Sequence, residues 1–587
     1  MSRGAGSASL MLRGMVALVG LFLPATAAVA DPVVRTVKGE VVGLEAGPLS
    51  VFRGIPYAAP PVGPLRWRAP RPPETWNRRS AAAFGPACIQ PVSAAQDAAF
   101  GPIGIRSEDC LTLNVWTPTL RSGAGLPVMV WIHGGGFVSG AGSLPAYDGS
   151  TLARQGAVVI TLNYRLGALG FFAHPALDEE TPAGPVNFGL LDQIAALQWV
   201  QDNIVAFGGD PGNVTILGES AGAQSVLALF ASPPAQGLFH KGIAQSPYGI
   251  PSHTPADARA AGVETAGALG IDGENASGDA LRGIAAEAFA NVTGRGRSLA
   301  PSLVYGDPVL PEPILDRFEK GQSAALPLVI GNNSNEASVA ELFGIEPASL
   351  VQKLGVAKIG VRLLFPEATD DADLARHAVR DAVFGAFGKR IADLHSRRAP
   401  AWRYYFSYLP EQQQGAEPGV PHGGEIAFVL GTLDRAPAYR DIHTPADDRV
   451  AERMTAYWLA FARTGRPAPT GEPEWLPSTA RQSRTMEFSG EPTPRSRFHD
   501  RRLNILIGVI RILDSLLDHR TGASPLADES GLSSSSIRMR SAAPWMSSYW
   551  LARRVQTKAP TAIRPRNTEK GPRRSSMFIA RPSPEAH

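Results

Sequence analysis

The chain has 587 residues, of which 44% are hydrophobic and 19% are charged, so it is long and apolar enough to bury a large core. Its two cysteines are too few for a structural zinc site, and no internal repeat is visible. The net charge of +3 conceals an uneven distribution: residues 31–518 carry 42 Lys and Arg against 49 Asp and Glu, whereas residues 519–587 carry 12 against 4.

Residues 1–30 have the features of a secretory signal peptide. Two arginines precede an apolar run over Met15–Leu23, and Ala28–Ala30 is a small-residue cleavage site. The apolar run is much shorter than the roughly 20 residues needed to span a bilayer, which disfavours a membrane anchor. We therefore predict cleavage between Ala30 and Asp31 and a secreted or periplasmic mature protein with no stable membrane anchor.

The two cysteines, Cys88 and Cys110, flank a 21-residue segment. In an exported chain such a pair indicates one disulfide bond, whereas in a cytosolic protein the two thiols would stay free.

A predicted strand, Val128–Ile132, runs directly into His133-Gly134-Gly135-Gly136. Consecutive glycines let the main chain approach a substrate and aim N–H groups at a developing oxyanion. A glycine triplet alone is usually a flexible loop. Its position after an apolar strand, about 90 residues before a candidate nucleophile, makes it a more specific signal.

Strands and helices alternate from Val128 to Ile330, which predicts βα units and a mostly parallel sheet. Within this region, Leu190–Ile204 carries apolar residues at helical spacing and predicts a helix with one face towards the core.

A second apolar strand, Val214–Leu217, leads into Gly218-Glu219-Ser220-Ala221-Gly222, and a helix-compatible run follows. This G-x-S-x-G pattern is typical of a strand–turn–helix elbow that exposes a serine oxygen. Ser220 is therefore a candidate nucleophile, and the N–H groups of Gly135, Gly136 and Ala221 are the candidate oxyanion hole. The alternative is a chance turn, because a chain with 61 glycines contains such patterns by accident.

Two more helices are predicted near the end of the chain, Arg449–Arg463 and the short amphipathic Leu503–Leu517. Residues 519–587 form a basic tail rich in Ser, Pro and Arg, with no sustained apolar period. Such a segment cannot bury enough surface to offset its ordering entropy, so we predict disorder. A basic arm for anionic surfaces and a gene-model artefact are the alternatives.

From about Val33 to Arg501 the chain resembles the type-B carboxylesterases, a family of the α/β-hydrolase fold that also contains cholinesterases, some fungal lipases and the neuroligins. The glycine loop and the Ser220 elbow carry this resemblance together with four further blocks in order: Phe52–Gly63, Glu108–Val115, Asn163–Gly167 and Leu190–Val200. The resemblance implies one large α/β domain over residues 31–518, with a mostly parallel central sheet flanked by helices. It also implies a disulfide loop that ends at Cys110.

The resemblance further implies the chain order nucleophile, acid, base, so the partners of Ser220 lie downstream. Glu336 follows the apolar strand Leu328–Ile330 in a segment similar to the family's acid segment, although Ala337 stands where the family usually has glycine. His422 lies in a Pro-His-Gly-Gly-Glu segment similar to the family's histidine loop. The implied roles are proton shuttle for His422 and, for Glu336, orientation of the imidazole.

Three nearby polar residues receive no catalytic role from the sequence. Glu219 is expected to point away from Ser220 into the protein, with a buried arginine partner or a proton of its own. Glu425 is expected to be a supporting carboxylate or a helix start. Ser246 is left out of the mechanism because Pro247 follows it where the family usually has glycine.

The predicted function is hydrolysis of a small-molecule carboxylic ester through an acyl-Ser220 intermediate, with no cofactor, metal or nucleic-acid partner. A lipase, or a hydrolase of carbamates or natural-product esters, would use the same residues. A non-catalytic adhesion or scaffold protein, as among the neuroligins, is disfavoured because Ser220, Glu336 and His422 are all present. Phe100 is the only aromatic residue between the cysteines, which gives no support to a choline site.

Overall fold

The computed structural model describes residues 31–521, apart from 181–183, 185, 251, 293–302, 343–344 and 356. The predicted signal peptide at 1–30 and residues 522–587 of the predicted tail lie outside the described residues.

In the part of the chain that the structure describes, the main sheet has 11 strands in the order β14-β13-β12-β11-β10-β9-β7-β8-β6-β4-β3, and β1, β2 and β5 form a smaller sheet. Strands β13 to β8 of that order run parallel, and the strands at both edges pair antiparallel. The predicted α/β-hydrolase architecture is confirmed. The strands are Val33–Thr36 (β1), Gly39–Val42 (β2), Leu44–Ala46 (β3), Leu49–Pro56 (β4), Arg78–Ser80 (β5), Thr112–Thr117 (β6), Leu126–Ile132 (β7), Val158–Leu162 (β8), Gly209–Glu219 (β9), Lys241–Gln245 (β10), Leu328–Asn333 (β11), Ala401–Phe406 (β12), Arg484–Phe488 (β13) and Pro492–Ser496 (β14).

Helices flank the sheet and fill the connections between its strands. They are Ala94–Phe100 (α1), Ser150–Arg154 (α2), Gly167–Gly170 (α3), Pro175–Glu180 (α4), Phe188–Asn203 (α5), Ala221–Ala231 (α6), Pro255–Ala268 (α7), Gly278–Arg282 (α8), Ala286–Val292 (α9), Ile314–Glu319 (α10), Ser338–Leu342 (α11), Pro347–Gln352 (α12), Ala357–Leu364 (α13), Asp371–Val379 (α14), Ala386–His395 (α15), Ile426–Leu430 (α16), Pro445–Thr464 (α17) and Asp500–Thr521 (α18).

Alternate residues of the central strands supply two cores on opposite faces of the sheet. In β7, Val128, Val130 and Ile132 join one apolar cluster, whereas Met129 and Trp131 join the other. The period of two places neighbouring side chains on opposite faces, and a strand buried on both faces is therefore apolar throughout.

The predicted helices form, with longer boundaries at the C-terminal end of the chain. The helix predicted over Leu190–Ile204 is α5, and Leu190, Leu197 and Val200 are fully buried. Helix α17 begins at Pro445, before the predicted start, because Thr444 caps it and exchanges hydrogen bonds with Asp447. Helix α18 extends the predicted junction helix at both ends.

Candidate active site

Ser220 lies at the turn between β9 and α6, with φ of +56° and ψ of −119°. A residue with a side chain rarely adopts these backbone angles, so the surrounding structure must hold Ser220 in this conformation. The two flanking glycines explain how. An added Cβ on Gly218 would lie 2.6 Å from the Ile132 carbonyl oxygen, and one on Gly222 would lie even closer to the same atom. Only glycines allow the elbow to pack this closely against the end of β7.

The glycine loop that follows β7 lies beside the elbow. An added Cβ on Gly134 would be 2.7 Å from the Glu219 carbonyl oxygen and 3.2 Å from Ser220 Cβ. Gly135 and Gly136 have φ of +96° and +62°, the left-handed region that favours glycine. The structure thus brings together the loop of Gly135 and Gly136 and the start of α6, where Ala221 follows Ser220.

Glu336 is fully buried beyond the end of β11, and its two oxygens have different partners. Oε2 lies 2.5 Å from His422 Nδ1. Oε1 accepts hydrogen bonds from the Asn333 backbone N–H and from the Ser246 hydroxyl, both at 2.6 Å. The carboxylate is therefore fixed in orientation before it meets the imidazole.

The His422 segment is attached to the segment after β11 by backbone contacts. Asn335 N donates to Val420 O at 2.9 Å, and His422 N donates to Ser338 Oγ at 2.8 Å. Glu336 and His422 are 86 residues apart in the sequence, and these bonds hold their two segments side by side.

The second imidazole nitrogen, His422 Nε2, faces the elbow. It lies 3.1 Å from Glu219 Oε1 and, within the described ranges, has no hydrogen-bond partner of good geometry. Glu219 directly precedes Ser220, so Nε2 lies beside the elbow residue next to the candidate nucleophile. Ser220 is 7% exposed, and the His422 side chain is 6% exposed, so both are largely shielded from solvent.

The expectation that Glu219 points away from the site is wrong. Its carboxylate lies between His422 and the glycine loop, because Gly134 has no side chain to fill that space: an added Cβ there would lie 2.8 Å from Glu219 Oε2. Burial raises the pKa of Glu219 to about 8, against the opposing effect of the His422 imidazolium. The expectation that Glu219 holds a proton of its own agrees with this direction.

Burial by itself would lower the pKa of His422, but the carboxylates of Glu219 and Glu336 raise it to about 9. Glu425 adds to this negative environment. It is fully buried and accepts hydrogen bonds from Gln245 Nε2 at 3.1 Å and from Asn333 Nδ2 at 2.5 Å, so its predicted supporting position is confirmed.

Sequence reasoning missed Ser246 and Glu219 as neighbours of the predicted triad. A signal was available for Ser246, because it follows β10 and parallel neighbouring strands end at the same edge of a sheet. Gln245 is paired with Glu219 on one side and with Gly331 on the other, which places Ser246 between the ends of β9 and β11.

One aromatic ring packs on the imidazole, and two others lie nearby. The Phe384 ring centroid lies 5.3 Å from that of His422, and Tyr248 packs on Phe384 at 6.3 Å. Phe100 of α1 approaches Gly423, where an added Cβ would lie 3.0 Å from its ring. Helix α1 belongs to the loop closed by the Cys88–Cys110 disulfide, which the structure contains as predicted.

In the described ranges, no group of three or more His, Cys, Asp or Glu side chains is arranged to hold a metal ion.

No helix among the described residues is both long and apolar enough to cross a membrane.

Comparison with known proteins places this site in a family. The model of the carboxylesterase family matches residues 30–359 and 366–505. Fumonisin B1 esterase of Sphingopyxis macrogoltabida is 36% identical over 500 residues, covering 80% of this chain and 89% of that protein. Para-nitrobenzyl esterase of Bacillus subtilis (strain 168) is 38% identical over 459 residues, covering 74% and 90%. A solved structure of a PNB esterase, 34% identical, superposes with a TM-score of 0.71 over 81% of this chain and 99% of that one.

Proposed function

Because the chain belongs to the carboxylesterase family and hydrolyses carboxylic esters, we propose that it does so through an acyl-enzyme formed on Ser220. His422 serves as the general base and acid, and Glu336 orients its imidazole. The Glu336–His422 contact of 2.5 Å, with Nε2 directed at the elbow, is the observation that carries this proposal.

The reaction has two stages. The Ser220 hydroxyl attacks the ester carbonyl while His422 Nε2 takes its proton, and the same nitrogen then protonates the departing alkoxide. Water next attacks the acyl-Ser220 ester with the same base, which releases the acid and restores the serine. Glu336 favours the tautomer with the proton on Nδ1, so Nε2 is free to accept.

The developing oxyanion is assigned to the backbone N–H groups of Gly135, Gly136 and Ala221. Two observations support this. The positive φ angles at Gly135 and Gly136 suit a loop that turns its N–H groups towards a ligand, and Ala221 begins α6, whose first N–H groups have no partner within the helix. Donors of this kind each contribute about 10²–10³-fold to kcat.

The substrates are small esters, as for the family. Fumonisin B1 is a second candidate substrate beside para-nitrobenzyl esters, because a fumonisin B1 esterase and a para-nitrobenzyl esterase both align over most of the chain. Parallel kinetics on para-nitrobenzyl acetate and fumonisin B1 would decide between them, since the preferred ester has the higher kcat/KM.

Ser220→Ala is the direct test of the mechanism. We expect kcat for p-nitrophenyl acetate to fall by at least about 10⁴-fold with an unchanged melting temperature, because no other group replaces the alcohol nucleophile. A fluorophosphonate probe should label the wild type once and the variant not at all.

Ser225→Ala is the matched control, one helical turn further along α6. Its hydroxyl donates to the Ala221 carbonyl and accepts from Gln193 Nε2, both at 3.0 Å. Neither contact involves His422 or Glu336, so its loss should leave labelling and kcat nearly unchanged. Retention of a tenth of the activity in Ser220→Ala would remove Ser220 from the mechanism.

We also propose that the protein is exported. The Cys88–Cys110 disulfide supports this, because such bonds persist in oxidising compartments. The residues after the apolar run, Ala28–Ala30, suit signal-peptide cleavage. N-terminal sequencing of the protein from the extracellular or periplasmic fraction should begin at Asp31, and an intact Met1 there would contradict the proposal.

A further inference from the structure

A single long helix near the site is interrupted by a π-helical turn. Helix α14 passes directly into a π-turn over Arg380–Gly385, and α15 continues from it. Such turns are rare in proteins, and those that occur often lie at functional sites. An inserted π-turn changes which way the following side chains face, so something must hold it in place.

This π-turn presents Phe384 to the site. The Phe384 ring packs at 5.3 Å from the His422 imidazole and is itself 3% exposed. The neighbouring Val383 carbonyl accepts a hydrogen bond from Gly249 N at 2.8 Å, which joins the π-turn to the segment that follows Ser246. The position of the ring therefore depends on the geometry of the π-turn.

An ion cluster at the π-turn joins four side chains. Arg380 and Asp381 belong to the turn and are buried, Arg502 comes from α18, and Glu367 is exposed. Asp381 is 2% exposed and accepts from Arg380 Nε at 2.7 Å and from Arg380 Nη2 at 3.1 Å. Arg502, from α18, reaches the same carboxylate with its Nε at 2.5 Å from Oδ2. Its Nη1 donates to Glu367 Oε1 at 2.6 Å.

Arg502 thus provides an ionic contact between the C-terminal helix and the π-turn, beside the apolar packing of Leu503 against Gly385. Its guanidinium also stacks on the Phe365 ring at 4.7 Å, which fixes its orientation. Burial would raise the pKa of Asp381, but Arg380 and Arg502 hold it below the usual value, so the carboxylate stays charged. Loss of one of the cations around a buried carboxylate leaves its charge less well compensated and destabilises the surrounding structure.

We propose that Arg502 is a positioning residue for substrate specificity: through Asp381 it holds the π-turn that keeps the Phe384 ring beside His422. Arg502 touches neither substrate nor reacting atoms. This inference rests on the proposed function of Ser220 and His422. It predicts that loss of Arg502 changes which esters fit, because the ring fills space next to the imidazole that a bulky ester would need.

The measured quantity is the ratio of kcat/KM for p-nitrophenyl pivalate to kcat/KM for p-nitrophenyl acetate. Phe384→Ala should raise this ratio by about tenfold, because truncation makes room for the branched acyl group. Arg502→Met should raise it at least about threefold in the same direction. The double variant should show no larger ratio than Phe384→Ala alone, because both changes act on one ring.

Two further variants separate positioning from simple stability. Arg501→Met alters an exposed neighbour on α18 and should leave the ratio unchanged. Arg502→Lys retains a cation near Asp381 and should raise the ratio less than half as much as Arg502→Met does. Some increase should remain, because lysine cannot reach both carboxylates as arginine does. A general loss of stability would instead lower kcat/KM for both esters equally.

Labelling of Ser220 by a fluorophosphonate, measured in every variant, keeps this inference separate from the proposed function. The inference is overturned if Ser220 is labelled but Arg502→Met leaves the ratio at the wild-type value, or if its effect adds in full to that of Phe384→Ala. Failure of labelling in the wild type would instead overturn the role of Ser220.

Discussion

At the residue scale, His422 lies between the carboxylates of Glu336 and Glu219, whose surroundings differ. Glu336 receives three polar contacts at 2.5–2.6 Å, which hold it as an orienting group. Glu219 has a raised pKa and contacts Nε2, the nitrogen that must take the serine proton. A proton shared between Glu219 and His422 titrates as a property of the pair.

This environment predicts an unusual pH profile. Catalysis needs a neutral imidazole, so kcat/KM rises with pH through the pKa of the base, and a histidine with its ordinary pKa would give an inflection near 6.5. Because the two carboxylates raise the pKa of His422, we expect the inflection above that value. Glu219→Gln removes one carboxylate and should lower it.

A pH profile of kcat/KM from pH 5 to 10, recorded for the wild type and for Glu219→Gln, measures the inflection of each enzyme. Glu417→Gln, a change of an exposed carboxylate five residues before His422 in the chain, is the control and should leave the inflection in place. An inflection in Glu219→Gln equal to that of the wild type would show that Glu219 does not act on the base.

Ser246 gives a second prediction at this scale. Its hydroxyl donates to Glu336 Oε1 at 2.6 Å, and a hydrogen bond to a buried carboxylate is worth about 1.5–3 kcal/mol. We expect Ser246→Ala to lower kcat at least about tenfold with little change in KM, because the imidazole is less well oriented. Steady-state kinetics on p-nitrophenyl acetate measure this.

Ser232→Ala is the comparison for Ser246→Ala. This buried serine at the end of α6 has a hydroxyl without a hydrogen-bond partner among the described residues, so its removal should leave kcat unchanged. Equal effects of the two substitutions would mean that the Ser246 contact contributes nothing specific.

At the scale of elements, the elbow is determined by how closely α6 approaches the end of β7. An added Cβ on Gly222 would meet the Ile132 carbonyl well inside the 3.0 Å that real Cβ contacts keep, and the neighbouring atoms are backbone. We expect Gly222→Ala to lower kcat/KM more than about 100-fold and to lower the melting temperature, because the elbow must move away from the glycine loop.

Gly267 in α7 is the matched glycine. It is exposed, and an added Cβ there would meet no atom within 4 Å. Gly267→Ala should raise the free energy of unfolding by roughly 0.5–1 kcal/mol, because alanine loses less backbone entropy in a helix. Thermal melts measure both variants, and a shift of the melting temperatures of Gly222→Ala and Gly267→Ala in the same direction would contradict this account.

At the scale of the whole molecule, helix α18 belongs to the fold. Leu503 and Leu506 are 3% and 2% exposed and join the small apolar cluster of α12, α13 and α14. The family model also extends to residue 505, into this helix. The predicted boundary of the catalytic domain at 518 remains a prediction, and it is testable by truncation.

We expect a mature chain that ends at Thr521 to keep kcat/KM within about threefold and its melting temperature within a few degrees, since it retains every described contact of α18. A chain that ends at Ser496 loses Arg502, Leu503 and Leu506 and should be much less stable. Precipitation or inactivity of the longer chain would show that residues 522–587 take part in the fold, against the prediction of a disordered tail.

Short patterns in the sequence predict the parts of this protein that depend on local geometry. Glycines are required where the elbow packs against the end of β7, and a strand buried on both faces must be apolar throughout. Each of these patterns can be recognised in a short stretch of residues. The Cys88–Cys110 pair, α5 and the Ser220 elbow are likewise predicted from the chain itself, whereas Glu336 and His422 are recognised only through the resemblance to a family.

Which side chains meet at the end of the sheet follows from the tertiary fold and not from any local pattern. Ser246 reaches Glu336 across 90 residues of chain, and Glu219 turns towards His422 because Gly134 leaves space. Arg502 contacts Asp381 of the π-turn that carries Phe384, although it lies more than 100 residues later in the chain. These contacts depend on strand register and on packing between distant segments, and neither is encoded in a local pattern.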